Sequence, residues 1–187
     1  MSAITTGSKT IGPQSGTVTV KTFKEGLLSK MGHDLVIEAR QWSAKIQLDS
    51  AEPPAGSVEV DLDPKSLTIV GPGDLNDKDK AEIRGNIEKD VIQWAKFPEI
   101  RFKSSAVENV KSAGGKGTAT VKGQLTLHGQ TQPVDLPVSF EATANGVRVT
   151  GEVTLAQTRF GIKPYKAPLG VIKVKDELKV LWDFVVG

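Results

Sequence analysis

The chain has 187 residues, with 24 basic against 22 acidic side chains mixed along its length, so the net charge of +2 leaves no basic patch for nucleic acid. It contains no cysteine, which excludes disulfides, thiolate catalysis and zinc–thiolate sites. No composition shift marks a domain boundary, and the length suits a single core over residues 1–187.

The first residues, MSAITTGSKTIGPQSG, lack both the early positive charge and the apolar run of a secretory signal, and no stretch of about 18 apolar residues follows. The expectation is therefore a cytoplasmic protein that does not span a membrane. Apolar and polar residues then alternate, the period of strands with one dry and one wet face. Val18 and Val20 begin this pattern, Leu35, Ile37 and Ala39 continue it, and Ala44, Ile46, Leu48 and Val58, Val60, Leu62 follow across a turn at Pro53, Pro54 and Gly56.

One segment departs from the period. In NDKDKAEIRGNIEKDVIQWAKF, residues 76–97, the positions Ile83, Ile87, Val91, Trp94 and Ala95 fall on one stripe of a helix, with Asn76 or Asp77 to cap it and Pro98 to stop it. Strand periodicity returns at Ile100, Phe102 and Ala106, and again at Val121, Leu125 and Leu127. Val134, Leu136, Val138, Phe140 and Ala142 make a further dry face, and Asn145-Gly146 is a strong hairpin signal leading into Val147, Val149, Val153 and Leu155. Leu178, Val180, Trp182, Phe184 and Val186 form the bulkiest apolar face of all. The prediction is an all-β fold of about eight antiparallel strands with one inserted amphipathic helix. Such a sheet packs on another or closes into a barrel whose interior is filled or holds one small ligand.

Chemistry has few carriers. The only histidines are His33, in SKMGHDLVIE, and His128, and there is no G-x-S-x-G elbow and no H-x-H or H-E-x-x-H spacing. His128 precedes the turn Gly129-Gln130, where a histidine serves by hydrogen-bonding nearby backbone. His33 with Asp34 reads better as a loop anchor at a cavity mouth than as a metal ligand or base. Lys163, Lys166, Lys173 and Lys175 surround Tyr165. They protect a strand edge, or else form a basic rim that attracts an anionic head group.

Four stretches together resemble the YceI-like family: GHDLVIEARQWSAKI, KFPEIRFKS, GQLTLHGQTQPVDLPVSF and TRFGI, which recur in order over most of the chain. The resemblance implies a lipocalin-like barrel that binds a long isoprenoid or other lipid chain, with no cofactor and, by resemblance only, a homodimer. The family's usual helix with paired phenylalanines is here IEKDVIQWAKF. The expected wall is Leu35, Ile37, Phe102, Leu125, Leu127, Val138, Phe140, Trp182 and Phe184, and the expected mouth is His33, Arg159, Lys163 and Lys166. Two other readings stay open. One is an enzyme acting on a lipid-like substrate with His33 as base; the other is a stress-response interaction module whose barrel is filled by its own side chains.

Overall fold

The computed structural model describes residues 6–25, 33–51, 54–167, 170 and 172–187. Gly32 and the rest of SKMG, and Pro53 in the expected turn, lie outside the described residues. The strands are β1 (Gly7–Ile11), β2 (Gly16–Glu25), β3 (Leu35–Ala39), β4 (Trp42–Ala51), β5 (Pro54–Leu62), β6 (Leu67–Gly71), β7 (Ile100–Ala113), β8 (Lys116–Leu127), β9 (Gln130–Thr143), β10 (Gly146–Ala156) and β11 (Lys173–Val186). Among the described residues one α-helix, α1 (Asp77–Asn86), stands between β6 and β7.

All eleven strands belong to one antiparallel sheet, in the order β1-β4-β5-β7-β8-β9-β10-β11-β2-β3-β6. The alternation predicts about eight strands, and the strands it leaves unmarked are β1 and β6, five residues each. β1 runs into β2 through a short helical turn at Pro13–Ser15, β3 into β4 across Arg40-Gln41, and β5 into β6 through a turn at Pro64–Ser66. The apolar phase slips at each of these bends, as it does from Ala39 to Trp42. The bends lie side by side, since β1 pairs with β4, β2 with β3, β4 with β5 and β3 with β6. Across the corner, Arg40 N–H donates to Ser66 O at 3.2 Å and Asp63 N–H donates to Gln41 O at 3.0 Å. The sheet thereby curls back on itself around a lumen.

The two ends differ. The last residues of β2, β6, β8 and β10, together with α1, lie at one end, the helix end. The tight turns between β7 and β8 and between β9 and β10 lie at the other, the hairpin end. α1 starts where expected, with Asn76 Oδ1 accepting from Asp79 N–H at 2.9 Å. It ends sooner than Phe97: a wider helical turn occupies Ile87–Val91, and Gln93 takes a left-handed φ of 52° that breaks the spiral before Pro98 is reached. Trp94 leaves the predicted stripe for this reason, and is buried beneath Arg84, whose guanidinium carbon lies 5.2 Å from the ring centroid. Arg84 also donates to Leu67 O and Lys65 O at 2.7 and 2.8 Å, covering the outer edge of β6.

Buried apolar side chains form three clusters rather than one core. The first centres on Leu127, Val134, Leu155, Phe160 and Ile162, the second on Ile11, Ala39, Trp42 and Ala44, and the third on Leu35, Ile37, Ile69 and Leu75. No helix among the described residues is long and apolar enough to cross a membrane.

Candidate ligand cavity

The pleat sends alternate residues of every strand inward, and these converge on a cavity of about 1030 Å³. All nine expected wall residues line it, and so does His33. Leu35, Ile37, Phe102 and Leu127, toward the helix end, are buried, whereas Leu125, Val138, Phe140, Trp182 and Phe184 are only half-buried. Large apolar side chains on a closed dry face are ordinarily buried. Here these five side chains line the cavity and are left partly exposed to it.

Three aromatics keep the lumen clear by lying against the wall. The Phe140 ring covers Gly117, its cross-strand partner, and the Trp182 ring covers Gly151 in the same relation. Phe102 covers Gly123 on the neighbouring strand. A Cβ at any of the three glycines would overlap the ring and a backbone carbonyl oxygen beside it. Glycine is therefore required for close approach, and the ring that fills its place stays out of the lumen.

Polar groups are confined to the ends. At the helix end the lining includes His33, Asp79, Glu82 and Asn86; at the hairpin end it includes Lys9, Gln47, Ser57 and Asn145. His33 Nε2 lies 3.9 Å from Asp74 Oδ2, with both side chains well exposed, and Asp34 Oδ1 accepts from Lys24 N–H at 2.8 Å.

The other three expected mouth residues do not line the cavity. Arg159 turns away and donates to Pro133 O at 3.0 Å. Lys163 and Lys166 are exposed, because in this loop Ile162, Tyr165 and Ala167 take the inward places. A spacing argument singles out the charges in FGIKPYKA, but the phase of the loop gives its lining to the residues between them. Trp42 is also part of the wall and is absent from the predicted set, although it stands in phase with Ala44 and Ile46 at the start of β4.

Three of the four quoted sequence stretches meet at one corner beside the lumen, where Gln157 and Ile162 also line the cavity. His128, with a left-handed φ of 52°, lays its ring 4.1 Å from that of Phe97, and its Nδ1 is 3.2 Å from Phe160 O. Gly161 follows with φ 70°. Gln157, 4% exposed, donates from Nε2 to Lys175 O at 2.8 Å. Asp176 accepts from Thr158 N–H at 2.8 Å and from Thr158 Oγ1 at 2.6 Å, and these bonds hold its carboxyl below the usual range. KFPEI, TLHG and TRFGI are thus the pieces of one packed corner at the helix end.

On the outer surface, Arg101 Nε donates to Asp61 Oδ1 at 2.6 Å, which raises the guanidinium pKa further. Arg148 grips Asp183 through two bonds of 2.9 and 2.6 Å, and the Asp183 carboxyl is lowered by that hydrogen bonding.

Comparison with known proteins places this architecture. The UPF0312 protein of Pseudomonas savastanoi pv. phaseolicola is 34% identical over 149 residues, covering 75% of this chain and 71% of the relative. BcnA of Burkholderia cenocepacia superposes with a TM-score of 0.67 at 20% identity, covering 91% of this chain and 96% of BcnA. A polyisoprenoid binding domain from Saccharophagus degradans superposes with a TM-score of 0.66 at 11% identity, over 97% of this chain and all of that one. At such identities these two structures speak for the fold alone. A family model described as YceI-like domain matches residues 10–186, and the chain belongs to the YceI-like family.

Proposed function

We propose that the protein binds a long-chain isoprenoid or a related amphiphilic lipid in its lumen, to sequester or carry it. The observation that carries this reading is the wall itself: large apolar side chains left half-exposed around about 1030 Å³ of space. A barrel filled by its own side chains would leave no such lumen.

The magnitudes favour a long chain. A methylene needs about the volume of a liquid water, ~30 Å³, so the lumen has room for roughly thirty carbons. Each buried CH₂ contributes about 0.8 kcal/mol, so ten carbons give ~8 kcal/mol gross, which an association cost of about 4–15 kcal/mol can cancel. Thirty give ~24 kcal/mol and survive any of these estimates. Short metabolites bind poorly on this arithmetic. The polyisoprenoid-binding fold neighbour supports the same ligand class. His33, whose only close carboxylate among the described residues is the exposed Asp74, has no geometry that favours catalysis over a place at the rim.

The test is native mass spectrometry of freshly purified protein, followed by organic extraction and identification of the lipid. A co-purified chain of about twenty or more carbons is the expected result. Protein that leaves the column empty, and takes up no long prenol afterwards, would overturn the reading.

A further inference from the structure

At the hairpin end the wall is divided. β2 pairs with β11 as far as Gly16 against Phe184, and β1, which continues the same segment, has no ladder partner on that side. On the opposite flank β5 pairs with β7 only over Glu59–Leu62 against Ile100–Lys103. Beyond it the Val58 N–H donates to the Ser104 side-chain oxygen at 2.8 Å, and β7 goes on to Ala113 paired with β8 alone. β1, β4 and β5 therefore form a three-stranded panel whose ladders stop short on each side. Lys9 and Gly187 on one flank, and Ser57 and Val107 on the other, line the lumen. The panel joins the rest of the barrel through the three side-by-side bends, one short ladder and the second buried cluster, where Trp42 lies 6.0 Å from Phe184.

We propose that this panel is a hinged flap through which the lipid enters and leaves sideways, swinging about the bends at Pro13–Ser15, Arg40-Gln41 and Pro64–Ser66, with Arg101 as its latch. The helix end holds α1 and two of the buried clusters, so opening there breaks packed core. Swinging the panel breaks four ladder positions, one ionic cluster and the contacts of one buried cluster with Val18, Phe184 and Val186, against two whole clusters at the helix end. Arg101 stands on the β7 side of that seam, and bonds Asp61 on β5 at 2.6 Å, with Glu59 at 3.7 Å and Glu99 at 3.2 Å. Local opening follows the path with fewest cross-seam contacts, and gating steps of this kind set exchange rates.

The inference rests on the lipid-binding reading, and the experiment separates the two. Asp61 and Arg101 are ladder partners, at a spacing an antiparallel pair offers to a disulfide, and the chain has no other cysteine. In Asp61→Cys/Arg101→Cys, oxidation should slow exchange of a fluorescent nitrobenzoxadiazole-labelled prenol by about tenfold or more, and reductant should reverse it. The reduced form, lacking the latch, should exchange faster than the native protein. A control pair on a continuous seam, Ser139→Cys/Thr150→Cys, should leave the rate unchanged on oxidation. Equal rates for the oxidised and reduced flap variant, or equal slowing by the control, would overturn the flap. If the native protein takes up no probe, the lipid reading fails, and amide exchange decides the flap separately. Joint opening of β1, β4 and β5 ahead of β8–β10 supports it, and uniform protection refutes it.

Discussion

Replacing Phe140 by Asp separates what the wall does for folding from what it does for binding. The Phe140 ring covers Gly117 on one side and faces the open lumen on the other, and it is half-buried. In the empty barrel an aspartate there meets lumen water, so the folded state loses the ring's packing on Gly117, about 1–2 kcal/mol, without acquiring a dry charge. Once a lipid fills the lumen the same carboxylate is covered by hydrocarbon. Covering an unpaired carboxylate costs several kcal/mol, and even ~3 kcal/mol weakens binding by more than about a hundredfold. The assay compares native mass spectra and prenol titrations of wild type, Phe140→Leu and Phe140→Asp, alongside thermal melts. The leucine variant should retain most occupancy, and the aspartate variant should be folded and empty. A folded Phe140→Asp protein with unchanged occupancy would refute the placement of the chain.

Gly151→Ala should cost about 1–3 kcal/mol, because its Cβ overlaps both the Trp182 ring and Pro137 O; a melt within experimental error of wild type would contradict that packing. His128→Ala should lower stability by about 2–3 kcal/mol while leaving prenol affinity in place, since the ring packs on Phe97 and bonds Phe160 O outside the lumen. Lost affinity at full stability would move His128 into the site. Asp176→Asn should cost about 1 kcal/mol near neutrality, a figure discounted for solvent screening. The Asp176 carboxyl is held below its ordinary 3.8, so its contribution is present above that pH and fades as acid protonates the folded form. Melts of the variant and wild type should accordingly converge below that pH, and a constant gap would count against the Thr158 bonds.

Much of the barrel is legible in the alternation because a pleat with one dry face has no other way to bury Leu35 and Ile37, or Val138 and Phe140. The bends show only as slips of phase. Leu35, Ile37 and Ala39 give way to Trp42, Ala44 and Ile46 on the other parity, and such a slip reads equally as a bulge, a bend or the end of a strand. The pairing that makes a panel of β1, β4 and β5 has no signature in the pattern. α1 was legible at its start, where Asn76 offers a cap, but not at its end, since the left-handed turn at Gln93 has no glycine to mark it. Lys163 and Lys166 attract notice as charges, yet the loop's phase turns Tyr165 inward instead, and loop phase has no period to read. Gly117 and Gly151 look like weak points of a strand until their partners Phe140 and Trp182 are known, and that pairing is set by register across two hairpins.

Those glycines bear on why the side chains leave a cavity at all. A chain rich in Val, Leu and Phe on its dry faces ordinarily collapses until each side chain touches others. Here Phe102, Phe140 and Trp182 fill the hollows over Gly123, Gly117 and Gly151, so the bulkiest side chains are spent on the wall, and valines make up much of the remaining lining. Short side chains on a curled sheet cannot reach across the lumen. The three buried clusters stay apart, with the cavity surface between them. Any ligand that binds only the folded barrel then stabilises it in proportion to the logarithm of its occupancy ratio, so lipid content and unfolding temperature should rise together.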